Sequence, residues 1–182
     1  PDGVPRYAEV DKPFTEYFRD QATERPDAVA IGFHGYEIRY GDLNRMVDQF
    51  ANALIERGLT KGDRVGIFMQ NSPHYVISFF GIIRAGGVVV NLNPMFKAME
   101  LAPIIEKTGF KTIIVQDTLC SEFKKAGNAG KIETVIVARF ADFIPEDPLF
   151  SPPAEAMGAT DSFPGTVDFK DILAAGEPVP VC

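Results

Sequence analysis

Apolar residues fall at Leu43, Met46, Val47, Phe50, Ala51, Leu54 and Ile55, the i, i+3, i+4, i+7 spacing that lays one stripe along a helix. Gly58 follows where a left-handed C-cap belongs. Ahead of this helix, residues 28–33 and 36–40 read as two strand-like runs around His34-Gly35, a two-residue hairpin signal. Further upstream, Phe14, Tyr17, Phe18 and Ala22 share a helical spacing, and Pro26 turns the residue before it away from the helical region. The opening residues, with Pro1, Pro5 and Pro13, read as an extended arm.

After Gly58, short apolar runs alternate with amphipathic segments. Residues 64–69, 88–92, 112–115 and 134–137 predict strands, and residues 73–85, 98–108 and 119–126 predict helices. Ser72 is the expected N-cap of the first of these helices, with Pro73 at its first position. Gly86-Gly87 stops it. Pro103 lies inside the second and is expected to delay its start or kink it. Apolar strands that do not alternate, separated by helices, predict a mostly parallel sheet covered on both faces. The fold class is therefore α/β: a doubly wound sheet flanked by helices, with an antiparallel hairpin near the amino terminus.

From Phe140 to Gly165 this pattern lapses. Five prolines (Pro145, Pro148, Pro152, Pro153 and Pro164) and several acidic residues predict a long surface excursion. Its Phe140, Phe143, Leu149 and Phe150 are read as aromatics and aliphatics tucked along a solvated loop, with a membrane or partner patch as the alternative. Residues 163–175 predict one more short helix, with Asp168 as its N-cap, and residues 176–180 the start of a linker. The expected organisation is an α/β subdomain over 1–139, the excursion over 140–166, and a short helix and linker over 167–182, leading to a remainder not contained in the chain.

Composition narrows the function classes. Hydrophobic residues at 46% and charged residues at 24% suit a soluble domain with its own core. A net charge of −7 with scattered cations excludes a nucleic-acid surface, which needs a basic stripe; it does not exclude a phosphorylated small molecule. Two cysteines, Cys120 and Cys182, exclude a disulfide framework and predict a cytoplasmic protein. No apolar run approaches the length of a membrane span.

Chemistry-bearing motifs are scarce. Residues 58–63, Gly-Leu-Thr-Lys-Gly-Asp, resemble a phosphate loop, but they close a helix and open a strand, the reverse of the order that places helix N–H groups on an anion. No Gly-x-Gly-x-x-Gly and no Gly-x-Ser-x-Gly occurs. His34 and His74 lack partners at metal-ligand spacing and are assigned turn or surface roles, and Cys120 a structural one. A globular α/β chain of this kind is either a non-catalytic binding or dimerisation module or part of a larger enzyme.

Three segments favour the enzyme. Residues 39–44, Arg-Tyr-Gly-Asp-Leu-Asn, lead into the amphipathic helix. Residues 58–65, Gly-Leu-Thr-Lys-Gly-Asp-Arg-Val, are followed by Met69-Gln70-Asn71-Ser72, and residues 84–94 read Arg-Ala-Gly-Gly-Val-Val-Val-Asn-Leu-Asn-Pro. In this order and at these intervals they are similar to the adenylate-forming superfamily of acyl-CoA ligases, aryl-CoA ligases and peptide-synthetase adenylation domains. Asp42 stands where that family usually has Glu. Residues 141–145 and 169–173 resemble, more loosely, the long- and medium-chain fatty acyl members.

The resemblance implies an ATP-dependent, Mg²⁺-assisted adenylation of a carboxylate, followed by transfer to CoA. The family's Ser/Thr-Gly-rich phosphate loop, ribose-binding Asp and mobile-domain lysine are not found in these 182 residues. The chain is thus expected to be inactive alone, with no catalytic residue and no tightly bound ATP, Mg²⁺ or CoA. In some CoA ligases an Arg matching Arg84 approaches the CoA phosphates, so Arg84 is the candidate contact. The competing reading is a cation that stabilises a helix carboxy-terminus. Lys124 and Lys125 are weaker candidates for CoA, and Asn93-Pro94 reads as a strand end. For the parent enzyme the partners are a fatty acid or other carboxylate, with homodimerisation and peripheral membrane association left open.

Overall fold

The computed structural model describes residues 12–127, 132–157 and 165–180. Residues 1–11 of the amino-terminal arm, Phe163, Pro164 and Cys182 lie outside them. Helix α1 (Phe14–Glu24) leads to an antiparallel hairpin of β1 (Val29–Phe33) and β2 (Tyr36–Arg39). His34 and Gly35 both take positive φ, 52° and 98°, as the tight turn between twisted strands requires. Helix α2 (Tyr40–Glu56) carries the predicted stripe, with Leu43, Val47, Phe50, Ala51 and Leu54 buried. Gly58 closes it as predicted: its N–H donates to the Ile55 carbonyl and that of Leu59 to Leu54, the two bonds of a Schellman cap.

Five parallel strands follow: β3 (Arg64–Phe68), β4 (Val88–Leu92), β5 (Thr112–Gln116), β6 (Thr134–Ala138) and β7 (Thr166–Asp168). They pair in the order β4-β3-β5-β6-β7. Helices α3 (Pro73–Arg84), α4 (Ala98–Thr108), α5 (Cys120–Ala126) and α6 (Phe169–Ala175) supply the crossovers and cover. Alternate strand residues feed two cores. Val65, Ile67, Ile114, Ile136 and Ala138 pack with α1, α2, α3 and α6 on one face. Phe68, Ile113, Val115, Val135 and Val137 pack with α4 and α5 on the other. Burial on both faces explains why these strands read as unbroken apolar runs.

Three local expectations need correction. Helix α4 begins at Ala98 and runs through Pro103. The Lys97 N–H donates to Glu100 Oε2 at 2.9 Å, anchoring the start, so the helix begins ahead of Pro103 and is not delayed by it. Of the four side chains expected to tuck along the stretch after β6, Phe140 and Phe143 are buried, whereas Leu149 and Phe150 stay exposed. The Leu149 N–H donates to the His34 carbonyl, and His34 Nδ1 lies 2.7 Å from the Phe150 carbonyl, so this stretch is fastened to the hairpin turn. Last, β7 precedes α6 where only helix is predicted, although Asp168 is the N-cap, accepting from the Lys170 N–H at 2.9 Å.

Candidate functional site

In a parallel sheet whose strands are added first to one side of a central strand and then to the other, the two crossovers leave opposite faces. They leave a crevice at the carboxyl ends of the strands, the usual ligand position in doubly wound folds. Here the reversal lies between β3 and β5, whose following helices α3 and α5 pack on opposite faces, one strand away from β4. A cleft of about 640 Å³ opens at the carboxyl ends beside that point, between the residues that follow β3 and those that end β4. Gln70, Asn71, Tyr75, Asn91, Asn93 and Pro94 are among its lining residues. Tyr75 donates its hydroxyl to Asn91 Oδ1 at 3.3 Å, the Gln70 N–H donates to Gln116 Oε1 at 3.0 Å, and Asn93 Oδ1 accepts from the Met95 N–H at 3.0 Å. No lining residue is charged. Side-chain amides and a phenol can offer hydrogen bonds and a ring face to a polar, uncharged group such as a base or an amide. Asn93-Pro94, read from sequence as a strand end, lies in the wall of this cleft.

Beside the cleft, the carboxyl ends of β5, β6 and β7 carry a charged network. His74 is buried at the start of α3, not on the surface as expected, with Nε2 3.3 Å from Asp142 Oδ2 and its ring edge-on to Phe143 and Phe169. Asp142 Oδ1 meets Lys170 Nζ at 2.9 Å, and Arg139 Nε donates to Asp168 Oδ2 at 2.7 Å. Asp117, at the end of β5, accepts at Oδ1 from the N–H groups of Thr118 and Phe140. Burial pushes the Asp117 carboxyl up, and its two backbone donors recover only part of that. For Asp142 burial also pushes upward, but the hydrogen bonds from His74 and Lys170 outweigh it and hold the group below the usual aspartate range.

The sign of the pH effect follows. A carboxyl depressed in the folded state contributes stability above its unfolded pKa of about 3.9, and that contribution is lost as pH falls through the lower folded value. Asp117, shifted the other way, adds no such acid limb. Urea unfolding followed from pH 6 to pH 2.5 is expected to show an acid-side loss of stability that Asp142→Asn flattens. An unchanged slope in that variant would remove Asp142 from the account.

Arg84 is not on the cleft surface. It ends α3, and its side chain is 2% exposed against 3% for its partner Asp48. Nη1 donates to Asp48 Oδ1 at 2.9 Å and Nη2 to Asn44 Oδ1 at 3.0 Å, while Asn44 Nδ2 donates to Asp48 Oδ2 at 3.3 Å. The guanidinium carbon also sits 5.6 Å from the centre of the Phe18 ring. Burial lowers its pKa, and the nearby Asp48 carboxylate opposes that shift. Its donors are turned into the packing of α1, α2 and α3. Lys125 pairs with Glu122 at 2.8 Å on α5. Cys120 is buried, with its thiol 3.7 Å from the Gln116 carbonyl, which suits a structural role.

Among the described residues, no group of three or more His, Cys, Asp or Glu could hold a metal ion. Among the same residues no helix is long and apolar enough to cross a membrane.

Residues 18–173 match the family described as AMP-binding enzyme. A long-chain-fatty-acid–CoA ligase of Bacillus subtilis (strain 168) is 32% identical over 126 residues, covering 69% of this chain and 22% of that ligase. The ligase of the same description from Salmonella typhimurium is 33% identical over 128 residues, covering 70% and 23%. Among solved structures, the anthranilate CoA ligase AuaEII in complex with anthranoyl-AMP superposes with a TM-score of 0.74 at 20% identity, over 97% of this chain and 30% of its own. The chain thus spans less than a quarter of the length of either fatty-acid ligase.

Proposed function

The chain belongs to the AMP-binding enzyme family, and on that premise we propose that it forms the amino-terminal sheet of an ATP-dependent fatty acyl-CoA ligase of the cytoplasm. In that reaction a carboxylate attacks ATP to give an acyl-adenylate and pyrophosphate, and the CoA thiol then displaces AMP. The carrying observation is the identity of about one third to two long-chain-fatty-acid–CoA ligases over more than two thirds of the chain.

The chain's own part is architectural and ligand-facing. The uncharged carboxyl-edge cleft suits the neutral portion of a nucleotide or of CoA. It cannot stabilise the charge that builds on phosphate in the transition state, which calls for cations aimed at those oxygens. No Ser/Thr-Gly-Thr-Thr-Gly-x-Pro-Lys sequence occurs in the 182 residues to supply them. The 182-residue chain is therefore expected to give no acid-dependent ATP–pyrophosphate exchange above a no-enzyme control. A longer polypeptide that carries this chain together with such a loop is expected to exchange when given a long-chain fatty acid. Exchange by the 182-residue chain would overturn its inactivity; exchange by the longer polypeptide with benzoate or an amino acid, and not with a fatty acid, would overturn the substrate class.

A further inference from the structure

The opposite edge of the sheet carries a second cleft, of about 430 Å³, at the amino ends of β3, β5 and β6. Arg57, the C-cap of α2, lines it together with Arg64 at the first position of β3 and Lys111 just ahead of β5. Two carboxylates share the walls, Asp63 and Glu133, and both are occupied. Asp63 Oδ2 accepts from the N–H of Thr60 at 2.8 Å and from its hydroxyl at 2.7 Å. Glu133 Oε1 pairs with Lys111 Nζ at 2.9 Å.

The two guanidiniums are in a different position. Each makes one long hydrogen bond to a backbone carbonyl, Arg57 Nη1 to Ala53 and Arg64 Nη1 to Thr108, both at 3.3 Å. Among the described residues neither meets a carboxylate within ion-pair distance. Three cations against two carboxylates leave the cleft with one positive charge on a chain whose net charge is −7. Gly58, Gly62 and Gly109 also line it, each with open space where a side chain would begin. A planar fork with most of its donors free fits tetrahedral and planar oxyanions.

We propose that this amino-edge cleft is a binding site for a phosphate-bearing anion, held by the guanidiniums of Arg57 and Arg64 with Lys111 at the rim. It lies across the sheet from the carboxyl-edge cleft and does not depend on the ligase assignment. The site is built on side chains, not on the phosphate-loop order of residues 58–63, which the fold confirms as a turn between α2 and β3.

The test is a titration of inorganic pyrophosphate, and separately of inorganic phosphate, into the isotopically labelled 182-residue chain at fixed ionic strength. Saturable amide shifts at Gly58, Gly62, Arg64 and Gly109 are expected, with those of Asn91 and Asn93 unmoved. The Arg57→Gln, Arg64→Gln double variant should bind at least tenfold more weakly with an unaltered melting temperature. If that variant is destabilised, Arg57→Lys, which keeps the charge and loses the fork, should still weaken binding. Shifts that never saturate, shifts centred on the carboxyl edge, or affinity unchanged in the variants would overturn the proposal. So would tighter binding of a Glu-rich peptide than of pyrophosphate, which would make the cleft a docking point for protein.

Discussion

Truncating Arg84 to alanine is expected to cost about 3–5 kcal/mol of folding stability, because it strands the buried Asp48 carboxylate without its cation. Against a total of about 5–15 kcal/mol for a single domain, that is a large share. The pair sits where α1, α2 and α3 meet, and Asn44 links its two halves by donating to Asp48 and accepting from Arg84. Arg84→Lys keeps the charge but loses the fork that reaches Asp48 and Asn44 together, and should fall between wild type and alanine. Joint replacement, Arg84→Met with Asp48→Leu, removes both charges and should recover most of the loss. Urea denaturation of the four proteins checks this. The same variants separate structure from ligand binding: if Arg84→Lys in a longer, active polypeptide raised the KM for CoA while leaving unfolding untouched, Arg84 would be a CoA contact after all.

The second large effect is expected at Phe169. Its ring stacks on Phe50 of α2 at a centroid distance of 5.0 Å, both rings are fully buried, and His74 meets Phe169 edge-on at 4.8 Å. Phe169→Ala should cost about 3–5 kcal/mol, as for other buried aromatic truncations. Combined with Phe50→Ala it should cost less than the sum of the singles, since the stacked pair is lost only once, with a coupling of about 0.5–3 kcal/mol. Unfolding should remain one transition by both near- and far-ultraviolet circular dichroism. A cost below about 1 kcal/mol, or a separate early transition for the last helix, would show that α6 rides on the domain instead of belonging to its core.

Regular elements were legible from sequence wherever periodicity had room to speak. The α2 stripe spans four turns, and β4 and β6 are runs of valine and isoleucine between helices, so element type and strand direction followed. The failures have identifiable physics. Strand β7 is three half-buried residues, Thr166, Val167 and Asp168, too short to show a period and held by its pairing with β6. Leu149 and Phe150 were read as tucked with Phe140 and Phe143, but apolarity alone does not say which side chains of a loop reach the core, and these two stay exposed. Arg84 and Asp48 lie 36 positions apart, so nothing local marks them as partners. The carboxyl-edge cleft is lined largely by neutral amides, which carry no motif; only the pairing of β3 with β4 brings them together. His74 looked like a surface residue because its partner Asp142 comes from beyond β6.

The strand order also sets a sequence of events in time. β3 is the first strand of the sheet to be synthesised, yet it ends up in the interior, between two neighbours made after it. Its Val65–Phe68 edge stays open until residues 112–115 have left the ribosome, since a parallel partner arrives only after a complete crossover. Contacts so distant in sequence are slow to form, and an apolar strand waiting for its partner can be paired by another chain instead. Fast translation through residues 69–111 would shorten that wait, and a pause there would lengthen it.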